Sequence, residues 1–272
     1  MPDSVGSGAK GSTVTVVETG RYKVVISTDP AMLDRVFSLR YEIFNIELGE
    51  GLAESHRTKR DTDRFDKLCD HLIVIDTEAD VVVGTYRLLA GRRCGLEGFY
   101  TATEFDLSSL AAIEGFNAQV VELGRSCIHP DHRTGKVLRL LWDGIASYMT
   151  RESARYLVGC GSLHTHSPRM AQRVYEHIQS KGLVWDRFRI LPNPANLLSK
   201  APRDESADPI TDEQAGRNIP PLLDGYFRVG AKVCGPPAYD PVFRCFDFAI
   251  VMDRTQMPEM YYKLFFEHAG EE

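Results

Sequence analysis

A glutamate, Glu122, stands among Val120, Val121 and Leu123 in the segment QVVELGRSCIH, residues 119–129. A carboxylate drawn into apolar surroundings becomes a stronger base, suited to taking a proton from an amine directly or through water. An amino acid's amine is mostly protonated at neutral pH, so reaction at its nitrogen needs such a base. Arg87 and Arg125 can grip a carboxylate bidentately. Asp63 and Asp66, in RDTDRFD, can meet a cationic side chain. The opposing reading makes these residues a network of ion pairs that only fixes the sheet. Cys127 offers a nucleophile, but a strand thiol without an evident base is expected to be inert.

A second chemistry lies just downstream. The turn Pro130–Thr134 leads into an amphipathic pattern over Lys136–Arg151, with Val137, Leu141, Ile145 and Tyr148 on one face. The start of such a helix binds anions through its unpaired backbone N–H groups. Arg133, Lys136 and Arg139 flank it with positive charge. The pairs His129/His132 and His164/His166 lack acidic or thiol partners at matching spacing, so no metal site is expected.

The surrounding elements must position these groups. Strands are expected at Tyr22–Ser27, His71–Asp76, Val81–Leu89, Gln119–His129, Tyr156–Leu163 and Phe243–Asp253. Asp29-Pro30 starts one helix, which carries Met32, Leu33, Val36, Phe37, Arg40 and Phe44. Ser167-Pro168 starts another that stops at Gly182. Short helices are expected at Pro220–Val229 and Pro258–Glu267, and Gly124 suggests a bulge or close backbone approach. Residues 90–118 read as a loop with one short helix. Residues 191–218 carry four prolines and read as a long loop or lid. Residues 1–20 read as a flexible Gly/Ser-rich tail, followed by a single domain over 21–272. The order implies an α+β fold around one mixed sheet, with a C-terminal extension.

The chain has 272 residues and a net charge of −6, so no global basic field recruits nucleic acid or anionic lipid. No segment approaches the ~18 apolar residues of a membrane span, and no secretory signal is expected at the start. The six cysteines are irregularly spaced without C-x-x-C, as expected of reduced thiols in a cytoplasmic protein.

The segment ELGRSCIHPDHRTGKVLRLLWDGIASYM resembles the acyl-donor segment of the Gcn5-related N-acetyltransferase (GNAT) fold. The resemblance implies that the backbone over residues 133–136, with Thr134 and Gly135, holds a pantetheine phosphate, that Arg133, Lys136 and Arg139 meet an acidic carrier protein, and that strand N–H groups near Ser126 and Cys127 stabilise the oxyanion. LRYEIF, RDTDRFD, CDHLIVID, VGTYRLL and ELGRSC, in that order, resemble ornithine–acyl-carrier-protein N-acyltransferases, also called hemolysin-like. PPLLDGYFRVGAKVCGPP in the tail resembles the same family. A more distant similarity to acyl-homoserine-lactone synthases covers Arg40, Phe44, Asp63, Asp66, Arg87, Glu122 and Arg125. The chain departs from those synthases by lacking an aromatic residue soon after Phe44 and by its longer C-terminal region.

These resemblances imply a long-chain acyl group, with or without a 3-hydroxyl, transferred from acyl-carrier protein to the α-amine of ornithine, giving lyso-ornithine lipid. Glu122, Arg125 and Tyr175 would be catalytic, and Arg40, Phe44, Asp63, Asp66 and Arg87 would bind the acceptor. Tyr175 resembles the acetyltransferase tyrosine that protonates the leaving thiolate; its competing reading is a core aromatic. No tightly bound cofactor is expected, only the acyl-phosphopantetheine donor. Val137 stands where acetyl-CoA enzymes carry a second loop glycine, which favours acyl-carrier protein over coenzyme A. The expected partners are acyl-carrier protein and the amino acid, with peripheral membrane contact through the lipid product. The alternatives are an N-acyl amino acid synthase for glycine, tyrosine or lysine, and a non-catalytic acyl-carrier-binding protein.

Overall fold

The computed structural model describes residues 11–203 and 209–267. Thr13–Thr19 (β1) pairs antiparallel with Tyr22–Ser27 (β2), so the segment expected to be a flexible tail is part of the sheet from Thr13 onward. Alternating Thr and Val over TVTV is the strand signal there; residues 1–10 of the expected tail lie outside the described residues. Asp29 accepts a hydrogen bond from the Met32 N–H at 3.0 Å and caps helix α1, Pro30–Arg40, with Pro30 in its first turn. The helix runs on as a π-helical segment, Tyr41–Glu47.

The hairpin is Asp70–Asp76 (β3) and Val81–Ala90 (β4). The following stretch is richer than a loop with one helix. It holds helical turns at Gly91–Cys94, Thr101–Glu104 and Ser108–Ala111, and a short strand Phe105–Asp106 (β5). Val120–Ile128 (β6), helix Gly135–Arg151 (α2), Tyr156–Leu163 (β7) and helix Pro168–Ser180 (α3) come next, close to their expected bounds.

The expected lid carries structure of its own. Leu191–Pro192 (β8) pairs with β5, and Thr211 caps a short helix at Asp212–Arg217. Arg173 donates to the Ile210 carbonyl at 3.2 Å, and His177 meets Asp212 at 2.8 Å, tying this segment to α3. Residues 204–208 lie outside the described residues. Helix Pro221–Arg228 (α4) and strands Lys232–Val233 (β9), Ala238–Asp240 (β10) and Cys245–Asp253 (β11) complete the sheet.

The sheet runs β1-β2-β3-β4-β6-β7-β11-β10, with β9 also pairing β11. Every pairing is antiparallel except β6 with β7. Successive residues of a strand face opposite sides. Val24, Ile26, Leu72 and Val74 therefore pack with α2, through Val137, Leu141, Ile145 and Tyr148, whereas Val25, Ile73 and Ile75 pack with Val36 and Leu39 of α1.

One irregularity opens this sheet. β6 and β7 pair only at Val120↔Tyr156, Val121↔Leu157 and Glu122↔Val158. On its other edge β6 bulges: Thr85↔Cys127 is followed by Arg87↔Gly124, two steps on β4 against three on β6. Arg125, inside the bulge, has φ +47°, a left-handed conformation that is uncommon outside glycine. The glycine beside it, Gly124, marks the place, but arginine takes the positive angle. One residue past the last pair, where the strands begin to part, a Cβ on Gly159 would lie 2.5 Å from the Leu123 carbonyl oxygen. Gly159→Ala must therefore push β7 off β6 at the mouth of the opening. We expect a loss of ~1–3 kcal/mol, read as a lower urea midpoint; an unchanged midpoint would show that the backbones accommodate the methyl group freely.

Candidate active site

The parting of β6 from β7 creates a cavity of about 480 Å³. Its walls come from β6, β7, the start of α2, the π-helical segment after α1, α4 and Phe243. Of the expected site residues, Phe44, Arg87, Glu122, Arg125, Ser126, Cys127, Arg133, Thr134 and Gly135 line it. Arg40, Asp63, Asp66, Lys136, Arg139 and Tyr175 are not among its lining residues.

Arg40 and Asp66 are instead parts of a buried charge chain. Arg40 is 1% exposed; its Nε donates to Asp61 at 2.8 Å and its Nη1 to Asp66 at 2.7 Å. Arg125 donates to both oxygens of Asp61. Arg87 donates to Asp63 at 2.6 and 2.7 Å and approaches Asp66 at 3.3 Å. The order Arg125–Asp61–Arg40–Asp66–Arg87–Asp63 alternates in sign, so three arginines neutralise three aspartates. Buried ions survive only when paired this closely. Burial alone would raise the Asp66 carboxyl, but Arg40 and Arg87 hold it down at about 2. Burial, with Arg40 nearby, pushes the His71 imidazole down to about 4, so it is neutral at physiological pH. The ion-pair reading therefore describes Arg40, Asp63 and Asp66: they support the site from behind, and their charges are already taken.

Arg125 is held from three sides. Asp61 fixes its guanidinium, which lies 4.1 Å from the Phe44 ring centroid and 4.9 Å from that of Phe243. A guanidinium stacked between aromatic rings keeps its charge while exposing one edge to the cavity.

Glu122 pairs with neither arginine. Its Oε1 accepts from the Thr101 N–H and hydroxyl, both at 2.7 Å, and its Oε2 from the Tyr100 N–H at 2.9 Å. It thereby holds the start of the Thr101–Glu104 turn. Two carboxylate oxygens offer about four acceptor positions, so capacity remains for a proton on the cavity side. Burial raises this carboxyl above its ordinary value, against the pull of those hydrogen bonds and of Arg87.

The start of α2 is expected to meet a phosphate. Thr134 precedes α2 without a side-chain cap bond, and a Cβ on Gly135 would meet open space. Three side chains here have partners or orientations that the sequence does not show. Arg133 is engaged bidentately by Glu47 at 2.6 Å. Arg139 donates to Asp143 at 2.8 Å and to the Leu264 carbonyl at 3.0 Å, so it ties down the C-terminal segment. Val137 turns its side chain into the core, fully buried, and does not crowd the cavity. Lys136 stays exposed, 5.2 Å from the Tyr22 ring centroid.

Tyr175 is the core aromatic of its competing reading, stacked on Phe248 with centroids 6.4 Å apart. A tyrosine does reach the cavity, but from α4: the Tyr226 hydroxyl lies 2.8 Å from that of Tyr86, and Ser126 lines the same space. Cys127 lines the cavity with its thiol pushed up to about 12 by burial. Sequence reasoning also missed Asp61 and Asp247. Asp61 sits in the quoted RDTDRFD, where nothing ranks one aspartate above another. Asp247, in the apolar strand FDFAIV, carries the same signal that singled out Glu122.

The chain is similar to known proteins in three respects. The Acetyltransferase (GNAT) domain family matches residues 39–143. An N-acyl amino acid synthase from uncultured soil microbes, FeeM, shares the fold at 12% identity, with a TM-score of 0.51 over 90% of this chain and 100% of that one. The acyl-homoserine-lactone synthase LasI does so at 11% identity and a TM-score of 0.51, over 90% and 95%. The L-ornithine N(alpha)-acyltransferase of Brucella abortus (strain 2308) is 30% identical over 263 residues, covering 93% of this chain and 92% of its own. The chain is an acyltransferase of the GNAT fold and belongs to the L-ornithine N(alpha)-acyltransferase family.

Proposed function

We propose that this enzyme transfers a long-chain acyl group, 3-hydroxylated or not, from the phosphopantetheine thioester of acyl-carrier protein to the α-amine of L-ornithine, giving lyso-ornithine lipid. The observation that carries this reading is a single cavity bounded by an open helix start and by the carboxylates Glu122 and Asp247. The names of its relatives supply the acceptor. In this reading the pantetheine arm lies between β6 and β7, with its phosphate at Thr134 and Gly135. The acyl chain runs along Leu138, Leu222 and Leu223, which line the same space. Arg125 meets the acceptor's carboxylate.

The amine nitrogen attacks the thioester carbon, and Glu122 takes the proton that nitrogen loses. The tetrahedral oxyanion is stabilised by hydrogen-bond donors at the bulge, Ser126 and Tyr226 among them. The C–S bond then breaks, the amide remains, and the thiolate takes a proton from solvent. No metal or tightly bound cofactor enters this scheme. The lipid product leaves at the cytoplasmic membrane face; among the described residues no helix is long and apolar enough to cross a membrane.

An in vitro acceptor screen with one long-chain acyl-carrier protein tests the reading, with mass spectrometry of the product. N-acyl ornithine supports it; another acyl amino acid, or no product, removes it. Glu122→Gln should cost roughly 10²–10⁴-fold in turnover, the usual worth of a general base. Because burial raises Glu122 above 4.5, the rate should climb with pH through a limb above the ordinary carboxylate range, and that limb should vanish in the variant. A folded variant with near-normal turnover takes Glu122 out of the chemistry.

The carrier reading rests on Lys136, exposed in the first turn of α2 next to Gly135. Acyl-carrier protein should outperform acyl-CoA bearing the same chain. Lys136→Glu should slow use of the carrier, more at low salt than at high salt, and spare a small pantetheine thioester. Equal or better use of acyl-CoA by the unaltered enzyme would sink the carrier assignment, leaving the acceptor unaffected.

A further inference from the structure

A second group of carboxylates lies beside the cavity, and it is built unlike the first. Asp247 of β11 lines the cavity, and Glu104 and Asp240 lie beyond it, each 2% exposed, as is Asp247. Tyr100 donates to Asp240 at 2.9 Å, Ser162 to Asp247 at 2.6 Å, and the Cys245 thiol to Asp247 at 3.6 Å. The Val242 and Phe243 N–H groups also donate to Asp240. Glu104 Oε1 is buried and has no hydrogen-bond partner. Among the described residues, no lysine, arginine or histidine forms an ion pair with any of the three. Of the basic groups at the cavity, His164 is engaged by Glu50 at 2.8 and 2.9 Å, Arg125 by Asp61, Arg87 by Asp63 and Arg133 by Glu47.

The contrast is informative. Behind β6 the chain matches each buried aspartate with an arginine; here it buries three carboxyls with only neutral donors around them. Uncompensated buried carboxylates are costly, and their persistence at a cavity wall implies a cation that arrives from outside. Resting on the ornithine reading above, we propose that Asp247, backed by Glu104 and Asp240, receives the distal side-chain ammonium of the acceptor, so that a diamino acid is selected over a neutral amino acid of the same length.

An ammonium suits the site better than a metal ion. Asp240, Cys245 and Asp247 each place one possible ligand atom within 4.8 Å of the others. The Cys245 thiol donates to Asp247 at 3.6 Å, so a metal would have to displace that proton and its hydrogen bond, whereas an ammonium needs only the carboxylates. Without a cation, burial raises Asp247 to about 6 and Glu104 well above its ordinary value. Proton uptake relieves the charge of such a cluster, and an ammonium can take the place of those protons.

The test compares L-ornithine with L-norvaline, which has the same carbon skeleton without the distal amine. With the full-length enzyme and one acyl donor, ornithine should be preferred by roughly 10²-fold or more in kcat/KM, as expected when a buried polar site is left unpaired. Asp247→Asn should remove most of that preference by raising the KM for ornithine, leaving norvaline within about twofold. Glu104→Gln should act in the same direction but less strongly, and it serves if Asp247→Asn does not fold. If the unaltered enzyme acylates both acceptors equally well, the subsite is wrong while ornithine acylation stands. If ornithine is inert and another amino acid is acylated, both readings fall. Equal loss of both acceptors in Asp247→Asn assigns Asp247 to the fold or the chemistry instead. Zinc or manganese that binds the unaltered enzyme, is lost in Asp247→Asn, and is needed for turnover would likewise overturn the ammonium assignment.

Discussion

The site depends on two parallel strands ceasing to pair. After Glu122 the hydrogen-bond ladder between β6 and β7 ends, leaving backbone groups that must find other partners. The bulge opposite β4 is how β6 turns away, and it depends on Arg125 holding a left-handed angle. A non-glycine residue stays in such a conformation only when its surroundings over-determine it. Asp61, Phe44 and Phe243 do so, reaching Arg125 from three distant parts of the chain. The cavity is therefore a tertiary product: no local segment opens the sheet by itself.

This explains what the sequence revealed. The strands, α1, α2 and α3 announce themselves through periodicity, Asp29-Pro30 and Ser167-Pro168, all local signals. Glu122 stood out because a charge in an apolar strand is anomalous. Which charge pairs with which is not a local property. Asp61, Asp63 and Asp66 look equivalent along the chain, yet Asp61 is fully buried between two arginines whereas the Asp63 side chain keeps 17% of its exposure. Tyr175 and Tyr226 both sit on helices. Only the path of the tail across the sheet decides that Tyr226 faces the cavity and Tyr175 the core. The basic flank misled for a related reason: a charge near a helix start is legible, but its partner, Glu47 or the Leu264 carbonyl, is not.

The two charge clusters divide the labour of the fold. The alternating chain of arginines and aspartates is closed upon itself and adds rigidity under β6. Glu122 belongs to neither that chain nor the acidic wall; it anchors the Thr101–Glu104 turn, which presents Glu104 to the wall. The Cys160 thiol lies between the Thr101 hydroxyl at 3.8 Å and Glu104 at 3.9 Å, so one short segment touches both Glu122 and the wall.

Cys127, Cys160 and Cys245 all line the cavity. Burial pushes Cys127 up to about 12, and burial with neighbouring carboxylates raises Cys160 and Cys245 strongly. Thiolates, not thiols, attack carbonyl carbon and sulfur electrophiles. A thioester placed in this cavity, as in the proposed reading, would have sulfur on several sides but no competing nucleophile among these cysteines. The acyl group would then be kept from self-transfer onto the protein and remain available for an amine. The same property makes these three thiols poor targets for alkylating reagents as long as the sheet stays folded.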